Sequence, residues 1–155
     1  MTNLTFGPVA SSIISVLLTG MPSLEHDMNT YECVAHAIYH EARGEDYDGY
    51  VAVAHVIKTR VDDRRWGEHS CSVVNARNFE YISRGRTHVE PRNERERKAL
   101  KKSFLIAVHV MDGRLPDPTN GADHFFNPNV VLPSWALEGY NVSDIGNHRF
   151  MNIDW

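Results

Sequence analysis

The stretch Asn29-Thr30-Tyr31-Glu32-Cys33-Val34-Ala35-His36-Ala37-Ile38-Tyr39-His40-Glu41-Ala42-Arg43-Gly44-Glu45 decides the fold. Tyr31, Val34, Ala35, Ile38 and Ala42 recur at spacings of three and four, which is one apolar face of a helix. An Asn29 or Thr30 oxygen can cap the first free amides, Glu32 favours the positive end of the dipole, and Gly44 supplies a stop. The spacing therefore predicts a helix with Glu41 in its last turn. There the negative end of the dipole disfavours an ionised carboxylate, as an apolar wall would, and a raised pKa is what a general acid needs at neutral pH. From spacing alone the plainer reading, an exposed helix glutamate, is the stronger.

Downstream, Asp46-Tyr47-Asp48-Gly49 reads as a polar turn and cap. Tyr50 to Val61 is almost continuously apolar, and its length of about twelve residues favours a buried helix although its valines pull toward a strand. A short helix is expected over Ser70 to Ala76 and a longer one from about Asn93 to Met111, closed by Asp112-Gly113. Beyond Gly113 the prolines at 116, 118, 128 and 133 break any helix. His124-Phe125-Phe126 and Val130-Val131-Leu132 read as small strands or extended loops, and His148 to Ile153 as a closing strand. The expectation is an α+β chain, a mainly helical body with a small β-rich C-terminal lobe.

The 155 residues fit one domain, and 42% hydrophobic with 23% charged residues places the chain among ordinary globular proteins. Residues 29–155 read as the domain, with 1–28 a segment packing on it or preceding it. The apolar run Val9 to Leu18 is too short to span a bilayer, has no basic residue before it and is interrupted by serines. A net charge of −4 gives no reason to seek nucleic acid or a membrane. Arg84, Arg86, Arg92, Arg95, Arg97, Lys98, Lys101 and Lys102 nevertheless cluster; they read as a solvated helix face interleaved with Glu94 and Glu96, or as a patch for an anionic polymer such as a cell wall. The two cysteines, Cys33 and Cys71, can pair in an oxidising compartment or remain buried thiols.

Other constellations compete for the chemistry. His36 and His40 stand one turn apart and could share a zinc ion with a distal histidine, but the order His-x-x-x-His-Glu does not place the glutamate between the ligands. Neither cysteine follows a Gly-rich turn, which weakens a nucleophile reading. The loops carrying Asn78-Phe79, Asn120 to Pro128, Pro133 to Ala136 and Ile145 to Phe150 set aromatic faces beside amides and histidines, as sugar-binding grooves do.

Taken in order, these segments resemble the SleB/CwlJ-like cell-wall hydrolase family, which includes spore-cortex-lytic enzymes and bacterial and phage relatives. The likeness runs from about Cys33 to Phe150. It is carried by Ile38-Tyr39-His40-Glu41-Ala42-Arg43-Gly44-Glu45, Val51 to Ile57 with Arg60-Val61, Trp66, Cys71 to Val74, Asn78-Phe79, Gly121 to Pro128, Pro133 to Ala136 and Ile145 to Phe150. Tyr50 stands where the family usually has glutamine, Asp46 where proline is common, and Thr59 where asparagine precedes the Arg-Val pair.

The resemblance implies a lysozyme-like or lytic-transglycosylase-like fold, with Glu41 as the catalytic acid/base between N-acetylmuramic acid and N-acetylglucosamine. One carboxylate suffices to form a 1,6-anhydro product. A muramidase-type hydrolase needs a second at about 5 to 9.5 Å, for which Glu45 is the obvious neighbour. Glu45, Tyr39, Tyr50, Asn78, Phe79, His124, Phe126, Trp135 and His148 are the expected substrate-binding residues, with no metal and no cofactor. A zinc amidase or peptidase using His36 and His40 is the alternative. The expected partner is bacterial peptidoglycan, met by a monomer in the periplasm or wall; the architecture also fits a phage lysin made in the host cytoplasm and released to the wall at lysis.

Overall fold

The computed structural model of the chain describes residues 4–75 and 79–154. In chain order its elements are β1 (Thr5–Phe6), α1 (Pro8–Leu18), α2 (Met28–Ala42), α3 (Tyr47–Asp63), α4 (Ser70–Asn75), α5 (Glu80–Ser83), β2 (His88–Val89), α6 (Glu94–Met111), β3 (His124–Phe126), a 3-10 turn (Ser134–Glu138), β4 (Tyr140–Ile145) and β5 (His148–Asn152). A helical body precedes a three-stranded antiparallel sheet of order β3-β5-β4, so the fold is α+β as the sequence pattern indicates.

Helix α2 is the axis of the body. Tyr31, Val34, Ala35, Ile38 and Ala42 are all fully buried, and so are Ala37 and Tyr39 on its flanks, because α3, α4 and α6 pack around it. Its cap is Asp27, whose carboxylate accepts the Thr30 amide at 2.8 Å, two residues ahead of the expected Asn29. Cys33 on α2 and Cys71 on α4 form a disulfide, which removes both from any thiol chemistry and ties α4 to the axis.

The valine-rich stretch is helical, not extended. A β-branched residue costs a few tenths of a kcal/mol in a helix, while full burial of a side chain contributes about 1.5–3 kcal/mol. Val51, Val53, Val56 and Ile57 are at most 5% exposed, so burial wins. The helix begins at Tyr47, after Asp46, rather than at Tyr50.

Helix α6 runs as its pattern predicts. Asn93 accepts the Glu96 amide at 2.9 Å, Leu100, Phe104, Ala107 and Val108 face the core, and Arg95, Lys98 and Lys101 face out. The N-terminal segment packs on this body. Thr5–Phe6 pairs in parallel with His88–Val89, and the Glu90 carboxylate accepts the Val9 and Ala10 amides at 3.1 and 2.8 Å, satisfying free donors at the start of α1. Among the described residues no helix is long and apolar enough to cross a membrane.

In the C-terminal lobe β3 and β5 fall where expected. Strand β4 is an additional edge strand, mostly exposed and irregular between Tyr140 and Ser143. Val130-Val131-Leu132 is not a strand; it is an exposed turn and loop.

Candidate active site

Glu41 is the penultimate residue of α2, and its half-buried side chain lines a cleft of about 720 Å³. The helical body contributes Glu41, Arg60 of α3 and Phe79 ahead of α5. The C-terminal lobe contributes His124, Phe125 and Phe126 of β3, Asn127, Val130, Val131 and Pro133 of the following loop, Trp135 and His148.

Phe79, His124, Phe126, Trp135 and His148, all singled out from sequence, thus share one cleft with Glu41. Asn78 lies outside the described residues. Tyr39 and Tyr50 are not on this wall. Tyr39 is 3% exposed, its ring under the Arg43 guanidinium and its hydroxyl accepting from Arg43 at 3.1 Å. Tyr50 is 1% exposed and donates to the Arg43 carbonyl at 3.1 Å. Both tyrosines fix the corner between α2 and α3.

Glu45 leaves the helix end in another direction. Its carboxylate accepts the Asn147 backbone amide at 3.2 and 3.3 Å and the Asn147 side-chain amide at 3.4 Å, and stands 3.4 Å from Nδ1 of His148. Two glycines make room for it. A Cβ on Gly49 would lie 2.7 Å from Cβ of Glu45, and a Cβ on Gly146 would strike the Glu45 carboxylate.

Beneath the cleft Arg60 is 4% exposed. Its Nε donates to the Asp123 carbonyl at 2.8 Å, and its guanidinium lies 5.0 Å from the Trp66 ring centre and 5.4 Å from that of Phe79. Burial pulls its pKa down to about 10 against the opposing charges of Asp123 and Glu41, so it remains a cation at neutral pH. The Asp123 carboxylate accepts from Arg65 at 2.9 Å and from Nδ1 of His124 at 2.8 Å. That bond fixes the His124 tautomer, turning Nε2 into an acceptor. Burial lowers the pKa of both His124 and His148, which keeps the two imidazoles neutral.

Behind Glu41, Tyr81 is 4% exposed, and burial followed by the Glu41 charge pushes its pKa upward, so it stays protonated. The rings of His40 and His36 stack on it at 4.6 and 5.6 Å. His36 Nε2 donates to the Thr87 carbonyl at 3.0 Å, which fixes the orientation of its ring. Among the described residues no group of three His, Cys, Asp or Glu side chains is placed to hold a metal ion.

Among the described residues the cleft therefore combines the Arg60 cation, neutral imidazoles, aromatic faces and the apolar lip Val130–Val131. Its wall carboxylates are Glu41 and Asp154, and Asp154 is exposed and accepts from the Tyr140 hydroxyl at 2.9 Å. This is a set suited to a sugar polymer: rings for pyranose faces, donors and acceptors for hydroxyls, and a carboxyl able to exchange a proton. Arg60 and the 130–131 lip escaped the sequence reading as site residues. The lip had a signal, an apolar run in a Pro- and Asn-rich loop where burial was not assured. Arg60 stood in the Arg60-Val61 pair of the family motif, but its place under the cleft depends on Asp123 sixty-three positions away.

Comparison with known proteins follows the same lines. Residues 44–151 match the family model described as cell wall hydrolase. The spore cortex-lytic enzyme of Oceanobacillus iheyensis is 32% identical over 136 residues, covering 84% of this chain and 46% of that enzyme, so the chain spans about half the length of this curated relative. Among solved structures, the catalytic domain of the germination-specific lytic transglycosylase SleB from Bacillus anthracis superposes with a TM-score of 0.63 at 30% identity, covering 85% of this chain and 100% of that one. The catalytic domain of the Bacillus cereus SleB protein gives a TM-score of 0.63 at 31% identity, covering 86% and 97%.

Proposed function

The chain belongs to the cell wall hydrolase family, and from that premise we propose that it degrades bacterial peptidoglycan by cutting the glycan strand between N-acetylmuramic acid and N-acetylglucosamine. Residues 29–155 form the catalytic unit in this reading, with residues 1–28 packed against it. The observation that carries it is the position of Glu41, at the end of the central helix and on the wall of a cleft that also presents aromatic rings, neutral imidazoles and the Arg60 cation.

Glu41 as the acid gives its proton to the glycosidic oxygen while the bond from that oxygen to the muramoyl C1 breaks, and N-acetylglucosamine leaves as the alcohol. The carboxylate so formed takes the proton from the muramoyl C6 hydroxyl, whose oxygen bonds to C1. The product carries a 1,6-anhydro end, and Glu41 is again the acid. Water is not consumed.

The transglycosylase outcome is favoured over a hydrolase by the use made of Glu45. A second catalytic carboxylate must face the sugar, with water between or in direct attack. Glu45 instead accepts the Asn147 amides and is enclosed by Gly49 and Gly146. The relative named a lytic transglycosylase supports the same outcome. The zinc-dependent alternative is disfavoured because His36 is fully buried and, among the described residues, no third His, Cys, Asp or Glu side chain stands with His36 and His40 to complete a site.

The test is digestion of purified sacculi by the wild type and by Glu41→Gln, with the released fragments weighed by mass spectrometry. The expected result is anhydro-muropeptides from the wild type and a rate at least about a hundredfold lower for the variant, the usual weight of a general acid. Undiminished release by Glu41→Gln, or free amino groups in place of new glycan ends, would overturn the reading.

A further inference from the structure

The basic residues concentrated between positions 84 and 102 do not act as one patch. Arg97 faces Glu94 at 3.7 Å and Arg43 faces Glu96 at 3.7 Å, so those charges are compensated. Arg95, Lys98 and Lys102 follow one another at i, i+3 and i+7 on α6, which puts them on one helix face. Among the described residues none of the three has a carboxylate partner.

These three side chains form one wall of a groove of about 550 Å³. Its other wall is Arg43, Gly44 and Glu45, Tyr50 lines it as well, and Glu94, which faces Arg97, stands at its edge, so among the described residues the groove holds four cationic side chains against two carboxylates. The Lys102 ammonium stands 4.5 Å from the centre of the Tyr50 ring, which is itself 1% exposed. In a chain of net charge −4 this is a local excess of positive charge, which attracts an anion.

The groove is also next to the cleft. Glu45 lines the groove, and its carboxylate lies 3.4 Å from His148, which lines the cleft. The Glu45–His148 pair is thus the border that groove and cleft share.

We propose that this groove is a subsite for carboxylates carried by the polymer that the cleft cuts, which in a peptidoglycan strand are those of the peptides hanging from its sugars. The proposal rests on the reading of the cleft as the glycan site. Contiguity with the cleft favours a group attached to the substrate strand over the phosphates of a separate wall polymer. Recognition is by charge, with Arg95 and Lys98 exposed and able to follow a flexible peptide.

The experiment is a two-by-two comparison. Wild type and the double variant Arg95→Gln with Lys98→Gln digest native sacculi and sacculi whose peptide carboxylates have been converted to amides, with the rate of soluble fragment release measured at low and physiological salt. The expected result is that either change alone lowers the rate roughly fivefold at low salt, the scale of two exposed charge pairs, and that the two together lower it no further. Independent, multiplying losses, or no loss from either change, would overturn the proposal. A loss seen only when phosphate-bearing polymers are stripped from the wall would also overturn it, assigning the groove to phosphate. Absence of any fragment from the wild type on native sacculi would instead overturn the reading of the cleft, and this proposal with it.

Discussion

The Glu45 carboxylate and the Asn147 backbone amide meet at 3.2 Å across 102 positions of sequence, joining the end of the first core helix to the β4–β5 turn. The carboxylate ties the body to the lobe, and in the proposed mechanism the acid/base work falls to Glu41. Glu45→Gln keeps an oxygen to accept the Asn147 amide and loses only the charge. It is expected to retain activity within about tenfold of wild type, since one neutralised charge-assisted bond is worth on the order of 1–1.5 kcal/mol, and to keep making anhydro ends. Mass spectra of its digests decide the matter: a loss as deep as that of Glu41→Gln would return Glu45 to the chemistry.

Gly146 makes that junction possible. Its φ of +59° is a conformation that side chains rarely adopt, and any Cβ there would strike the Glu45 carboxylate. Gly146→Ala is expected to destabilise by about 1–3 kcal/mol, of which roughly 1 kcal/mol is the left-handed backbone itself. The collision disappears in Glu45→Ala. Urea unfolding of the two single variants and the double should therefore show the alanine costing less when Glu45 is already gone, and equal costs would mean that the two sites do not touch.

How far the sequence could lead depends on whether a residue's setting is local. The apolar face of α2 and the limits of α6 were legible because spacing and caps are written within one turn of helix. Asp27 was overlooked as the α2 cap because Asn29 and Thr30 are equally able to cap, and only the folded chain shows which oxygen reaches an amide. Strand β4 was not legible, since an exposed edge strand with Asn141 at φ +51° has no alternation to read. In the cleft, the ordered motifs named Glu41 and five of its wall residues. They also nominated Tyr39 and Tyr50, which the fold buries at the corner of α2 and α3, outside the cleft wall, a setting that spacing does not reveal. Cys33 and Cys71 sit on different helices, and their pairing depended on how α4 lies along α2.

That pairing gives a stability prediction. The disulfide joins residues 38 positions apart, and closing a loop of that size removes about 4 kcal/mol of chain entropy from the unfolded state. Reduction, or Cys33→Ser with Cys71→Ser, is expected to lower the melting temperature by on the order of 10 °C. Neither cysteine lines the cleft, so wall-digesting activity at 25 °C should persist. Calorimetry with and without a reductant measures the first effect, and a melting point insensitive to reductant would contradict it.

The stacked histidines behind Glu41 predict an acid limit to stability. Burial holds His36 at a pKa of about 4, while burial followed by the charges of His36 and Arg43 holds His40 at about 3. In the unfolded chain both take a proton near about 6.5. Between that value and about 3 the unfolded state therefore binds more protons than the folded one, so stability is complete above about 6.5 and is lost progressively as the pH falls. Among the described residues His40 Nε2 has no hydrogen-bond partner, and its ring lies 4.6 Å from that of Tyr81, so His40→Phe keeps the stack and removes one proton-binding site. At pH 4 the substitution should recover up to roughly 3 kcal/mol while changing little at pH 7.5. Circular dichroism across an acid titration reads this as an unfolding midpoint shifted to lower pH. An unchanged midpoint would mean that acid opens the molecule elsewhere, with His55, His124 and His148, whose pKa values burial also lowers, as the remaining groups to test.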